Sequence, residues 1–503
     1  MVSGGESMWD HLISGFAVAS RPMNLLYCFF GCFYGTFVGV LPGFGPAAAI
    51  ALLLPITFGM APESAIIMLA GIYYGAMYGG STTSILVNIP GEAASVVTCF
   101  DGYQMAKQGR AGPALGIAAV GSFIAGTLSV FGLFIVAPML ANFALKFGPP
   151  EFFSLMVLGL TIVVYISFGS VLKAVTMGCL GVALGCVGWD FVSGSTRVTL
   201  GIEYLYDGVP VVPVVMGLFG ISEVLLNLEK RQQMEIFKDV KHIWPSMKDF
   251  RESLLPILRG SGIGFLLGLL PGGGTVTSTF AAYAIEKKIS KNPEKFGKGA
   301  IEGVASPESA NNAAAQAGFI PLLTLGIPIS PAFALVFAAL VVHGVHPGPM
   351  LLAKNPEVFW GVVISMYIGN IILLVLNLPL IKMWVKVLEI PYGLLFPIIL
   401  IFCLVGALSD NKIGDVFVMV IFGVIGYLMK KFEYEPAPMV IAFILSPILE
   451  LNLRQSLILS GGSFGIFFSK PISLFSLIAV GILFLLAILP KLKVFRPKLG
   501  VDE

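Results

Sequence analysis

Apolar positions along this chain run in long uninterrupted blocks. Residues 22–62, 111–145, 309–353 and 471–490 contain no Asp, Glu, Lys or Arg. Each block meets or exceeds the roughly 20 apolar residues that a helix needs to cross a bilayer. The pattern predicts an all-α polytopic membrane protein with about 10–14 membrane segments, some of them broken or re-entrant. Residues 7–20 are predicted as a short interfacial helix ahead of the first span.

The blocks contain an internal repeat. Gly31, Gly35, Gly39, Leu41, Pro42, Gly43 and Gly45 recur as Gly260, Gly264, Gly268, Leu270, Pro271, Gly272 and Gly274, at a constant offset of 229 residues. Pro62-Glu63-Ser64-Ala65 recurs as Pro307-Glu308-Ser309-Ala310 at an offset of 245, which implies 16 extra residues in the second copy. Ile89-Pro90 matches Ile327-Pro328, and Gly112-Pro113 matches Gly348-Pro349. This divides the chain into an N-terminal interfacial segment 1–21, repeat 1 at 22–113, spanning helices at 114–228 and a basic loop at 229–253. Repeat 2 follows at 254–349, then spanning helices at 350–490 and a basic tail at 491–503.

Charge orients these pieces. Lys and Arg concentrate in 101–110, 229–252, 286–302 and the tail, with Lys430 and Lys431 besides. Short basic loops favour the cytoplasmic side, so all of these are placed inside, with the C-terminus inside and the N-terminus outside. In repeat 1 the loop before Pro-Glu-Ser-Ala is neutral and the segment after Ile-Pro is basic; in repeat 2 the signs swap. The two copies are therefore expected to be inverted, as in secondary transporters whose substrate site lies at midplane between the repeats.

Composition agrees. The chain of 503 residues is 57% hydrophobic and 12% charged, with a mean hydropathy of +0.92, where soluble domains carry roughly 25% charged residues. The net charge of +2 gives no reason to expect nucleic acid. The 59 glycines and 32 prolines are tolerated where neighbouring helices re-satisfy freed backbone groups. Six cysteines lack metal spacing and read as small buried hydrophobes. The first residues carry Glu6 and Asp10 without a basic n-region, so no signal peptide is expected.

Candidate chemistry sits at the breaks. In Leu41-Pro42-Gly43-Phe44-Gly45, Pro removes a donor and Gly permits angles closed to other residues. One helix ends and another starts inside an apolar run, leaving free amides that suit an anion. Pro271-Gly272-Gly273-Gly274-Thr275 repeats this and adds hydroxyls at Thr275, Thr277, Ser278 and Thr279. The plain reading is a kink, and the glycine spacing upstream reads as close helix packing. A second polar element, Gly79-Gly80-Ser81-Thr82-Thr83 followed by Asn88-Ile89-Pro90-Gly91, falls in an uncharged run, residues 64–91. It suits a sodium ion or a carboxylate, against inter-helix hydrogen bonding. Glu63 and Glu308 read as first-turn helix caps. Ser309, Asn311 and Asn312 read as ligands, because adjacent amides heading an apolar segment are costly unless satisfied. Asn88, Asn311 and Asn312 are the sodium candidates; no other metal and no cofactor is expected. Glu151, Asp190, Glu203, Asp207 and Glu223 read as interfacial, and His343 and His346 as surface residues near a loop.

These same residues carry a resemblance. The stretches G-V-L-P-G-F-G-P, Y-G-G-S-T-T-S-I-L-V-N-I-P-G-E-A-A-S-V-V-T, D-G-Y-Q-M-A-K-Q-G-R-A-G-P-A-L-G-I-A and F-G-K-G-A-I-E-G-V-A-S-P-E-S-A-N-N-A-A resemble the large membrane subunit of the tripartite tricarboxylate transporter family. The resemblance covers most of the chain. It departs at Ser306 and at Ile329, where Gly is expected. It implies a cation-coupled importer of carboxylates such as citrate, in a bacterial inner membrane. It also implies two separate partners, a small membrane subunit and a periplasmic substrate-binding protein. Without it, a channel or structural subunit remains open. An intramembrane enzyme is not expected, since no G-x-G-D, G-x-S-G or H-E-x-x-H is present, and the absence of a Walker A sequence excludes ATP hydrolysis on this chain.

Overall fold

A computed structural model describes residues 8–41, 44–167, 170–190, 193–229, 237, 240, 242–270, 274–390, 392–408 and 412–488. The N-terminal segment forms α1 (Met8–Ala19), repeat 1 contributes α2 (Pro22–Val40), α3 (Gly45–Leu53), α4 (Pro62–Val87) and α5 (Val96–Lys107), and α6 (Ala111–Ala144) starts at its end. Next come α7 (Pro149–Ile166), α8 (Val171–Gly185), α9 (Val211–Val215) and α10 (Ser222–Glu229), the last two joined by a π-helical turn at Met216–Ile221. Repeat 2 contributes α11 (Met247–Gly268), α12 (Gly274–Ile289), α13 (Glu302–Ala317), α14 (Phe319–Leu325) and α15 (Pro331–Val342), and α16 (Leu351–Lys354), α17 (Pro356–Asn377) and α18 (Ile381–Val387) follow it. Then follow α19 (Tyr392–Ala407), α20 (Ile413–Lys431), α21 (Pro436–Leu459), α22 (Ile466–Ser469) and α23 (Pro471–Ile488). The only β structure among the described residues is a hairpin of two-residue strands, Gly188–Trp189 against Thr196–Arg197.

Five helices (α2, α6, α17, α20 and α21) are long and apolar enough to cross a membrane, and six shorter apolar stretches accompany them. The chain is an all-α polytopic membrane protein. The 34-residue α6 is about 51 Å long at 1.5 Å per residue, well beyond a hydrocarbon core of about 30 Å. The 26 residues of α4 are enclosed by protein from Ser64 to Val87. A helix that touches no lipid can carry Gly, Tyr, Ser and Thr, which is why α4 is less apolar than a lipid-facing span.

The glycine seam sets the register of each repeat. A Cβ on Gly31, Gly35 or Gly39 would lie 2.3 Å from the carbonyl oxygen of Met68, Ile72 or Ala76. On Gly260 and Gly264 it would lie 2.2 and 2.3 Å from those of Ser306 and Ala310. So α2 crosses α4 as α11 crosses α13, backbone against backbone. Lipid supplies no hydrophobic drive between helices, so such close packing, with Cα–H···O contacts of about 0.5–1 kcal/mol each, holds the pairs together.

These contacts correct one part of the repeat. Met68 pairs with Ser306, Ile72 with Ala310 and Ala76 with Ala314, an offset of 238 residues. The Ile-Pro pair has the same offset, and so do the left-handed residues that end the two long helices, Asn88 (φ 59°) and Gly326 (φ 69°). The second copy has therefore gained nine residues, not 16. The two Pro-Glu-Ser-Ala stretches are not equivalent: Pro62 starts α4, whereas Pro307 lies inside α13.

Loop contacts make the repeats inverted. Asp101 near the end of repeat 1 accepts from the amides of Gly297, Gly299 and Ala300, each at 2.8 Å, just before α13. On the other face, the ring nitrogens of His343, after α15, sit 2.7 and 2.8 Å from the carbonyl oxygens of Ala339 and of Thr57, the latter just before α4. The start of the long helix in each copy thus meets the end of the other copy. Arg110 pairs with Asp249 at 2.6 Å, and Gln108 donates to the Lys298 carbonyl at 2.8 Å. Three basic segments therefore share one face. Lys230, Arg231, Lys238, Lys241 and the tail from Lys491 lie outside the described residues. Cys179 is exposed rather than buried; Cys28, Cys32 and Cys403 are buried as expected.

Helices α7–α10 and α19–α23 pack mainly on one another. They meet the repeats through α3, α15 and the turn at Leu54–Gly59. The candidate site lies along this seam.

Candidate functional site

The helix starts that follow the two breaks line one cavity of about 300 Å³. Gly45 to Ala48 at the start of α3 form one edge and Gly274 to Thr277 at the start of α12 another. Two further helix starts complete this wall. Glu92 and Ala93 open the turn leading into α5, and Ser330 and Pro331 open α15. Glu92 and Ser330 are equivalent at the 238-residue offset and share a backbone shape, φ −147°, ψ 165° and φ −152°, ψ 167°. Both cap their own helix: Glu92 Oε2 accepts from Ala94 N at 2.6 Å, and Ser330 Oγ from Phe333 N at 3.4 Å. By contrast, no side chain caps α3. Gly45 N is taken by the Gly91 carbonyl and Pro46 has no N–H, so Ala47 and Ala48 hold the first-turn amides without an intrahelical acceptor, at the positive end of the helix dipole.

The opposite wall comes from the other body: Val163 and Ser167, Phe219 in the π-helical turn, Glu223, Lys430 and Glu435 to Ala437. Lys430 is the one cation among the described lining residues, and its ammonium is paired with Glu223. Across the same seam, a second cavity of about 1100 Å³ is lined by Phe58, Phe337 and the ion-paired Arg197, Glu450, Asp190 and Arg454. The two bodies thus enclose space at two places along their contact.

The expected site residues fall into three groups. Phe44, Gly45, Gly274 and Thr275 line the 300 Å³ cavity. Gly91 lies directly behind them; its carbonyl accepts from Gly45 N at 3.3 Å, and a Cβ there would meet the Gly39 carbonyl at 2.1 Å. Pro42, Gly43, Pro271, Gly272 and Gly273 lie outside the described residues. Pro90 is half-buried outside the lining, and Asn88 is exposed at the end of α4, where it serves as a left-handed terminator.

The third group is a buried polar layer behind the cavity. Ser81 Oγ donates to Glu308 Oε2 at 2.5 Å, and Thr98 Oγ1 donates to the other carboxylate oxygen. Thr82 lines a small void, and Thr83 Oγ1 donates to the last carbonyl of α2, Val40, at 2.8 Å. Asn311 Nδ2 donates to Glu92 Oε1 at 3.0 Å. Asn312 Nδ2 donates to Ser122 Oγ at 2.7 Å and to the Glu308 carbonyl at 3.2 Å. Ser309 Oγ has no partner.

Two readings need correction. Glu63 does sit in the first turn of α4, paired with Arg21. Glu308 does not start a helix: it is 1% exposed inside α13 and held by hydroxyls from α4 and α5. Glu223 lines the cavity besides pairing with Lys430. Sequence reasoning missed Glu92, Ser330, Tyr73, Phe219 and Lys430. Glu92 had a signal, being the first charge after the uncharged run that ends at Gly91. Ile329, noted as a departure, brings its Cδ1 within 3.6 Å of where a Gly274 Cβ would stand.

An all-α polytopic chain with inverted copies and a cavity between paired helix breaks has the architecture of a membrane transport protein. The profile of the Tripartite tricarboxylate transporter TctA family matches residues 25–441, and the chain belongs to this family. It is thus a permease subunit of a transporter. It is 50% identical over 497 residues to an "Uncharacterized 52.8 kDa protein in TAR-I ttuC' 3'region" of Agrobacterium vitis, covering 98% of this chain and 99% of that one. It is also 49% identical over 242 residues to an "Uncharacterized protein in TAR-II ttuC' 3'region" of the same organism, covering 48% of this chain and 100% of that one. No solved structure matches the chain.

Proposed function

We propose that the chain imports di- or tricarboxylates of the citrate kind across the bacterial inner membrane, coupled to sodium or protons. It would act with a small membrane subunit and a periplasmic substrate-binding protein. The observation that carries this reading is the convergence of four helix starts on one cavity. Each helix start presents roughly half a positive charge, and the α3 start carries no side-chain cap. A volume of about 300 Å³ lies at the small end of the ligand-pocket range, about 300–1,000 Å³, and favours a compact anion.

Energetics require a coupling ion. One charge moved against 100 mV costs roughly 2.3 kcal/mol. A di- or trivalent anion entering an inside-negative cell therefore faces roughly 5–7 kcal/mol before any concentration gradient. Alternating access would come from the repeat-built body moving against α7–α10 and α19–α23, since the cavity walls divide along that seam. The test is uptake of labelled citrate into proteoliposomes with both partners supplied. Uptake indifferent to sodium and proton gradients alike would sink the coupling, and wild-type uptake after Gly43→Leu or Asn311→Ala would sink the site.

A further inference from the structure

Two buried carboxylates, Glu92 on the cavity wall and Glu308 in the layer behind it, make no ion pair among the described residues. Glu308 is 1% exposed and its two oxygens accept only from the hydroxyls of Ser81 and Thr98. Glu92 is 7% exposed, lines the cavity and accepts from Ala94 N and Asn311 Nδ2. Neutral donors leave the charge uncompensated. A carboxylate at membrane depth is costly without a counter-charge.

A second observation lies one turn along the same helix. Asn311 Oδ1 and Asn312 Oδ1 have no hydrogen-bond partner, and neither does Ser309 Oγ; the three residues are at most 1% exposed. The amide orientations are chemically fixed. Asn311 Nδ2 faces a carboxylate oxygen and Asn312 Nδ2 faces a backbone carbonyl, and both partners only accept. The carbonyl oxygens of the two side chains are therefore the atoms left over. Residues 308, 311 and 312 share one face of α13, at the i, i+3 and i+4 positions.

We propose that Glu308, with the oxygens of Asn311 and Asn312 and the hydroxyls of Ser81 and Thr98, binds the co-transported cation, and that this cation is sodium. The donor set is all oxygen, which suits a hard cation, and its single carboxylate suits a monovalent one. A proton on Glu308 would neutralise the carboxylate but leave both amide oxygens unpaired; a metal cation addresses all of them. Asn311 then joins the ion site to Glu92 and so to the substrate cavity. The inference rests on the cation-coupled reading above and assigns that ion its residues.

The purified chain with its small membrane subunit, free of substrate, tests it by thermal unfolding in sodium chloride against choline chloride at equal ionic strength. A ligand that binds only the folded state raises its melting temperature with concentration. Sodium should stabilise the wild type and leave Glu308→Gln unmoved. Asn311→Ala, which keeps the carboxylate, should need at least tenfold more sodium for half the effect, and serves should Glu308→Gln not fold. Equal sodium stabilisation of wild type and both variants would overturn the proposal, as would a wild type stabilised by acidification but not by sodium. Sodium stabilisation of the wild type, lost in the variants, supports the site even if reconstituted uptake of every carboxylate fails; that second result would sink the import reading alone.

Discussion

Asp101 offers a sharp test of how the inverted repeats are tied. It is fully buried on α5; Oδ1 accepts three amides from residues 297–300 at 2.8 Å, and Oδ2 accepts the Tyr283 hydroxyl at 2.9 Å. Hydrogen bonds to an ionised group are worth about 1.5–3 kcal/mol each. Asp101→Ala strands four donors, but the segment is next to exposed lysines and can admit water, so the sum is not realised in full. We expect a loss of about 3–5 kcal/mol. Scaling from roughly 2–4 °C per kcal/mol in mid-sized domains to a chain twice that length, the apparent melting temperature should fall by about 3–10 °C. Asp101→Asn keeps an oxygen for the three amides and presents its NH₂ to the Tyr283 oxygen, which can accept. It should cost about 1 kcal/mol and roughly 2 °C. Thermal unfolding in detergent, followed by fluorescence-detected size exclusion, measures both. Two variants that melt together, or an Asp101→Ala protein as stable as the wild type, would refute the argument.

Neighbouring glycines of α11 should respond in opposite ways. Gly264→Leu drives a side chain into the Ala310 backbone and should abolish folded protein, whereas Gly262→Leu, with nothing within 4 Å, should give near-normal yield and a near-normal elution profile. Lys430→Met removes the one described cation of the cavity wall and should raise the KM for carboxylate uptake about three- to tenfold, a loss of roughly 0.7–1.4 kcal/mol in binding. Uptake rate against substrate concentration, with expression matched, reads it; an unchanged KM would remove Lys430 from anion recognition. Tyr73→Phe, which leaves the tilted ring contact with Phe333 intact at 4.6 Å between ring centroids, should preserve the melting temperature within about 2 °C.

The membrane class, the inverted order and the helix breaks were legible because each leaves a trace within a short window. Uncharged blocks mark spans, and glycines at every fourth position mark a helix crossing. The alignment of the two copies was legible only where physics imposes it. The glycine seam must repeat because its backbones touch, and Asn88 and Gly326 must match because both end a long helix in a left-handed turn. Pro-Glu-Ser-Ala has no such constraint, and its recurrence shifted Glu308 to a helix start it does not occupy. That shift also concealed Glu92 and Ser330, whose equivalence shows only at the correct offset. Lys430 and Phe219 were beyond reach for a different reason: they belong to the second body, and no local pattern tells which helix end will face the break.

The near-symmetry of the backbone carries an asymmetric charge, and this bears on coupling. Four helix starts are arranged in pairs, yet repeat 1 caps one of its starts with a carboxylate, Glu92, where repeat 2 uses a hydroxyl, Ser330. An anion drawn to the α3 and α12 starts enters a cavity that Glu92 also lines. Two like charges about 6 Å apart at an effective dielectric of about 20 repel by roughly 3 kcal/mol. That repulsion is about as large as the gain from one or two helix dipoles, which reach about 1–2 kcal/mol each in partly buried settings. Glu92 therefore opposes substrate, and a cation on Glu308, joined to Glu92 through Asn311, places a positive charge nearby that offsets part of the opposition. On this reading neither ligand needs to move a helix for the other to bind. The same 3 kcal/mol, roughly a hundredfold in affinity, would make the unaccompanied anion a poor passenger and bind transport to the ion gradient.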